Sequence, residues 1–350
     1  MVKSGRVYLD WNATTPLRAE ARAAMIAAMD VAGNPSSVHA EGRAAKALVE
    51  RARAQVAAAL GAEAADIVFV SGATEAAALA CAGRGLVCAG VEHEAVSAWC
   101  DEGLVPDADG RVAVAEPARS TLQLANSETG VVQDLPEGLA VSDLTQGFGK
   151  IPFAFDWSGV AMGFVSAHKL GGPKGVGALV LRRGLDLAAQ LKGGGQEMGR
   201  RAGTENLIGI AGFGAAAEAA ARDLADGVWE PVARLRNILD AALSGGQSGT
   251  ISVGHAARRL PNTLCLVTPG WKGETQVMRM DLAGFAVSAG SACSSGKVRA
   301  SRVLRAMGFD EVAAASALRI SIGPETAETD VMRFAEAWAA ARASALARMG

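Results

Sequence analysis

The chain has 350 residues, more than the ~250–300 at which a single hydrophobic core stops growing, so two domains are expected. Half of the residues are hydrophobic and a fifth are charged, a globular balance that argues against disorder. With 34 basic and 36 acidic residues the formal charge is −2, which gives no electrostatic footprint for nucleic acid.

The opening MVKSGRVYLDWNATTP lacks the apolar core of a signal peptide, and no run of 18 apolar residues suggests a membrane span. The five cysteines (Cys81, Cys88, Cys100, Cys265, Cys293) are odd in number and form no C-x-x-C pair. Neither a disulfide framework nor a cysteine metal site is expected, and a reducing cytoplasm is the expected location.

In chain order, ARAAMIAAM (21–29) and RAAKALVERARAQVAAALG (43–61) read as helices, the second ending on Gly61. DIVFVSG (66–72) reads as a strand, with the helical TEAAALACAG directly after it. GLVCAG, STLQLAN, LAVSD, GFVSAHK and VGALVLRR are further strand candidates. This alternation predicts an α/β domain with a mostly parallel sheet. From about Gly212 to Leu243 the pattern is helical again, broken near DGVWEP, and a domain boundary is expected near residue 228. TLCLV, AVSAG and ALRISIG then supply strands of a second domain.

Two nucleotide motifs fail. Gly149-Lys150 and Gly296-Lys297 lack the Ser/Thr of a Walker A loop. G-F-G-A-A-A (212–217) lacks a preceding strand and a ribose-binding acid, and an alanine-rich helix start explains it. The junction SGATEAAALA is more informative: a turn at Gly72 and the N–H groups of Ala73, Thr74 and Glu75 could cradle a phosphate, or Ser71 or Thr74 could simply cap a helix.

In DLTQGFGK, Asp143 ends a strand and could pair with a protonated ring nitrogen, or cap a helix. His93, in VEHEAV, is either a flat face for stacking or a surface residue. Lys169, in SAHKLGGPKG, stands between a strand and a glycine-rich turn, where it could hold a phosphate, form an imine with a carbonyl, or be a solvated charge. GGGQEMGRRAGTEN reads as an anion-binding loop or a solvated connection. Arg319, among the apolar residues of ALRISIG, needs a partner: a substrate carboxylate or a structural ion pair. Cys293, in GSACSSGKVRAS, stands among small polar residues with Lys297 and Arg299 nearby to favour the thiolate, and reads as reactive.

The order and wording of LDWNATTP, GNPSSVHAEGR, VFVSGATE, EHEAV, NSETGVVQ, DLTQGFGK, SAHKLGGPKGVGAL, GGGQEMGRRAGTEN, GSACSSG and LRISIG resemble the pyridoxal-phosphate cysteine desulfurases, in the branch with a G-S-A-C loop. The resemblance runs nearly end to end, whereas the R-x-G-H-H-C loop of the rival branch does not match. It implies the aspartate-aminotransferase type of fold (fold type I), with residues 14–227 as the large cofactor-binding domain. Residues 1–13 and 228–350 would form a small domain carrying the cysteine loop. It also implies a homodimer with sites at the subunit interface.

By the same resemblance, Lys169 would hold pyridoxal 5′-phosphate, Asp143 would face its pyridine nitrogen, His93 would stack on the ring and Gln146 would approach the phenolic oxygen. Ala73, Thr74, Ser166 and His168 would bind the phosphate, joined by Thr204 from the other subunit. Asn126 and Arg319 would bind the substrate, L-cysteine, and Cys293 would take its sulfur as a persulfide, leaving alanine. A sulfur-acceptor protein, whether scaffold or sulfurtransferase, would then receive it for iron–sulfur cluster biogenesis or other sulfur trafficking. Rivals of the same fold are a transaminase, a selenocysteine or cysteine-sulfinate lyase, and a non-catalytic relative.

Three departures stand out. Ser127 replaces the second of two asparagines at a cofactor contact. Only ten residues separate Gln133 from Asp143, where the family has a crossover helix, and the Thr74–His93 interval is also short. The chain ends in a helix without the longer tail through which relatives dock a scaffold, so the resemblance does not fix the partner.

Overall fold

The computed structural model describes residues 5–244, 249–290 and 300–346. Its main sheet runs in the order Ala65–Val70, Gly177–Arg182, Met162–Ser166, Val141–Asp143. Single parallel bridges, Thr121 to Val141 and Val87 to Ser120, carry it on to the parallel pair Val87–Ala89 and Asp101–Leu104. Only Gly177–Arg182 runs against its neighbours, so the sheet is mixed but mostly parallel, as expected. STLQLAN contributes these bridges rather than a full strand.

The helices Ala19–Met29 and Ala40–Leu60 both pack against Leu207–Ala225. Glycine permits the closeness: a Cβ on Gly214 would lie 2.8 Å from Ala52 Cα. The G-F-G-A-A-A stretch is thus the interior of a tightly packed helix that begins at Leu207, not a helix start. Gly61 ends Ala40–Leu60 in the left-handed region at φ 58°, and Ala62 N–H donates back to Ala57 O, as its sequence predicts.

A second sheet, Ser288–Ala289, Ala317–Ser321, Thr263–Val267, Ile251–Ser252, is antiparallel throughout. The N-terminal Val7–Tyr8 pairs in parallel with Phe285–Ala286, and Val7 and Leu9 join an apolar cluster with Trp229, Leu318 and Phe334. The larger cluster lies under the main sheet, around Phe69, Leu144, Phe155 and Phe213.

The shortened segments are resolved. Between Gln133 and Val141 there is no helix; Gly138, at φ 80°, turns the chain, and its N–H donates to Gly159 O. Between Thr74 and His93 only the end of Ala73–Cys81, a brief turn and the three residues Val87–Ala89 intervene. The sheet keeps its order because backbone bonds from Thr121 to Val87 and from Leu124 to Asp143 do not depend on the missing helix.

Candidate active site

The ends of these strands open on a cavity of about 700 Å³ between the two sheets. Lys169, Asp143, His93, Gln146 and Arg319 all line it, as do Ala73, Thr74, Ser127, Ser166 and His168. Ten of the residues singled out from sequence therefore meet in one place.

Strand Met162–Ser166 runs into the short turn Ala167–Lys169, which delivers the lysine to the cavity. The N-terminal segment fixes that turn: Thr15 N–H donates to His168 O at 2.9 Å and Thr15 Oγ1 to Lys169 O at 2.9 Å. Lys169 Nζ donates to the carbonyls of Asn12 and Ala13 at 2.6 and 2.9 Å. His168 is a neutral ring, pushed down to about 4 by burial and then by Lys169 and Lys174, with Nδ1 3.2 Å from Thr14 Oγ1.

Opposite lies the start of helix Ala73–Cys81. Gly72 precedes it, and neither Ser71 nor Thr74 caps it with a side chain. Its first N–H groups therefore face the cavity without an intrahelical acceptor, which suits an oxyanion. The turn lies close against the adjacent strand because Gly177 has no side chain: a Cβ there would be 2.5 Å from Val165 O and 2.9 Å from Gly72 Cα. Ser166, buried beside Gly72, adds a hydroxyl.

Asp143 ends strand Val141–Asp143 and accepts from Thr145 N–H at 2.9 Å. Burial pushes its carboxyl up, against that bond and the charge of Lys169. His93 caps the short helix Glu94–Ser97: Nδ1 accepts from Ala95 N–H at 3.1 Å, which leaves the ring proton on Nε2. Gln146 Nε2 donates to Asn12 O at 3.0 Å, and its Oε1 accepts from the buried Lys150 at 2.8 Å.

Arg319, 3% exposed, is held in a structural ion pair and also lines the cavity. It pairs with Asp10 at 2.8 Å and donates to Ser127 O at 3.1 Å, yet its buried Nε has no partner among the described residues. Asp10 and Asn12, which sequence reasoning quoted only within a motif, are thus part of the wall, as is Lys174. Lys150 was weighed only as a failed Walker A lysine; its spacing of four from Gln146 was the available signal. Glu128 was also missed: burial pushes it up to about 7 against the bond from Ser301 Oγ, 2.6 Å away.

Two of the described residues, Asn126 and Thr204, are not brought to this cavity. Asn126 is buried behind it, donating to Val91 O and accepting from Glu128 N–H, Thr129 N–H and the Thr129 hydroxyl, so its side chain is spent on the turn. Thr204 is exposed and lines a smaller neighbouring hollow of about 110 Å³ that shares Ser71 and Gly175. Cys293, with Lys297 and Arg299, lies outside the described residues.

The arginines of GGGQEMGRRAGTEN are neither a free anion site nor solvated: Arg200 pairs with Asp66 at 2.8 Å and Arg201 with Glu75 at 2.9 Å. In the same segment Glu197 and Met198 adopt φ of 49° and 59°, a left-handed backbone that non-glycine residues rarely take. Glu197, buried, holds it there by accepting from Phe69 N–H and from Arg53 at 2.7 Å.

A mixed α/β sheet presenting a lysine, a strand-end aspartate and a helix N-terminus to one cavity defines an enzyme built around an anionic carbonyl cofactor. The aminotransferase class-V family model matches residues 7–101 and 117–334, and the chain belongs to this family. Its cofactor is pyridoxal 5′-phosphate, and the residues present fit it: an amine for the aldehyde, uncapped N–H groups for the phosphate, a buried carboxyl for the ring nitrogen.

The chain is 40% identical to a cysteine desulfurase of Cereibacter sphaeroides, over 95% of this chain and 94% of that protein. Its fold is similar to the X-ray structure of a NifS-like protein from Rickettsia africae, with TM-score 0.85, 30% identity and coverage of 95% and 98%. It is also similar to SspA in complex with cysteine, with TM-score 0.74, 27% identity and coverage of 92% and 100%.

Proposed function

We propose that the protein is a cysteine desulfurase that converts L-cysteine to L-alanine and takes the sulfur on Cys293. Its near-full-length likeness to a desulfurase, combined with a lysine and an arginine facing one cavity, carries this reading. Bound there, the cofactor supplies an electron sink next to the substrate's α-carbon.

The residues divide the remaining work. The N–H groups at Ala73 and Thr74, with the hydroxyls of Thr74 and Ser166 and neutral His168, hold the phosphate. Asp143 supplies the counter-charge for a protonated ring nitrogen, His93 lies on the ring, and Gln146 and Ser127 border it. Arg319 holds the substrate carboxylate, with its spare Nε as an additional donor. Lys169 Nζ carries the proton between the substrate carbon and the site.

The Cys293 thiolate attacks the substrate sulfur, the Cβ–S bond breaks with its electron pair left on carbon, and protonation yields alanine. Substrate thiol plus enzyme thiol become alanine plus enzyme persulfide, with no external oxidant. The active unit is a homodimer in which Thr204, exposed and outside its own chain's cavity, serves the partner's phosphate. The sulfur passes in the cytoplasm to an acceptor protein for iron–sulfur cluster assembly or other sulfur trafficking. No helix among the described residues is long and apolar enough to cross a membrane.

Incubation with cysteine, measuring alanine and protein-bound sulfur together, tests the reading. Cys293→Ala should lose the bound sulfur; undiminished persulfide in that variant overturns the assignment.

A further inference from the structure

Lys150 is a buried cation to which the functional reading gives no task. It is 3% exposed, on the turn after Asp143, and donates from Nζ to Gln146 Oε1 at 2.8 Å. Among the described residues no carboxylate lies within ion-pair distance of it. Burial, and then the charges of Lys169 and Arg319, push its amine down to about 7, and His168 registers the Lys150 charge in turn. A methionine of similar volume would avoid this desolvation cost. The amine therefore does something that an apolar side chain could not.

The hydrogen bonds show what that is. A carboxamide has one accepting and one donating end, and its orientation is set by its neighbours. On one side of Gln146 stands the carbonyl of Asn12, which can only accept, and it receives Nε2 at 3.0 Å. On the other side stands Lys150, which donates to Oε1. The second hydrogen of Nε2 is left to face the cavity that Gln146 lines. Without a donor at 150, Oε1 would be a buried acceptor with no partner, and it could regain one only by turning out of the wall.

We propose that Lys150 is a positioning residue acting through Gln146: it keeps the amide oxygen in the wall, so that the cofactor's phenolic oxygen meets an N–H donor. This rests on the reading that the cofactor occupies this cavity with that oxygen towards Gln146. When the nitrogen joining Lys169 to the cofactor loses its proton, negative charge concentrates on the phenolic oxygen, and a facing N–H favours that form. Losing the donor therefore moves the proton's midpoint to higher pH.

The experiment is a pH titration of the visible absorbance of the holoenzyme. Lys150→Met and Lys150→Gln, whose amide ends one bond short of the native amine, are both made, so that either can decide if the other does not fold. Each should raise the midpoint by about one pH unit, the worth of one hydrogen bond. In a Gln146→Leu background neither should add a further shift. An unmoved midpoint overturns the proposal. So does an equal shift with and without Gln146, because Lys150 would then act only through its charge. A native protein with no cofactor band would instead overturn the functional reading, and this inference with it.

Discussion

The segment 195–206 and the cavity beside it are both rich in cations, but they hold them differently. At the segment, each arginine faces a carboxylate: Arg53, from the helix Ala40–Leu60, with Glu197, and the segment's own Arg200 with Asp66 and Arg201 with Glu75. Burial works against Arg53 and Glu75 alike. Glu197 outweighs it to hold Arg53 above its ordinary value, while Arg201 and Ser71 hold Glu75 below the ordinary carboxylate range. Around the cavity, Lys169 donates to carbonyls and Lys150 to an amide oxygen. Even Arg319, paired with Asp10, keeps one buried donor unused. Matched charge builds a wall, whereas charge held by neutral oxygens leaves positive potential for a phosphate and a carboxylate that arrive from solution.

Breaking this contrast from the cavity side should cost activity more than stability. Lys169→Ala should abolish the bound-cofactor absorbance and lower alanine formation on the order of 10³-fold or more. Arg319→Leu should raise KM for cysteine and lower kcat/KM about 10²-fold, part of it because Asp10 loses its partner, as steady-state kinetics would show.

From the wall side, Glu197→Ala removes the buried partner of Arg53, leaving it only the exposed Glu50, and takes the acceptor from Phe69 N–H; it should cost about 3 kcal/mol in denaturant unfolding. Its cofactor band should keep the native pH midpoint. The smallest effect sharpens the contrast through pH. Lys150, at about 7, lies below its ordinary 10.5, so the unfolded chain binds more protons between those values and stability rises with pH across them. Lys150→Met, compared with the native chain without cofactor, should be relatively most stable below pH 7 and lose that advantage towards pH 10.

Much of the site was legible because its chemistry is tied to chain punctuation. A lysine before two glycines, an aspartate at a strand end and a Gly-Ala-Thr before an alanine helix announce both residue type and placement. What was not legible depends on partners far along the chain. Nothing within RRAGTEN says that Asp66 and Glu75 take both arginines, and nothing near Arg319 names Asp10, 309 positions away. Asn126 misled for a local reason: asparagine at a turn serves its own backbone first. The fold survived its trimmed connections because sheet order is written in backbone bonds between strand edges, not in the length of the linkers.

The segment from Asp10 to Arg18 has a consequence for biosynthesis. Its groups reach Ser321 and Thr263 in the smaller sheet and, through Thr15 and Arg18, the lysine turn of the larger one. Residues 10–18 must therefore wait for the strands Thr263–Val267 and Ala317–Ser321, made far later, before that turn is secured. A nascent or truncated chain has no completed seat for its coenzyme, so colour in a preparation counts finished molecules.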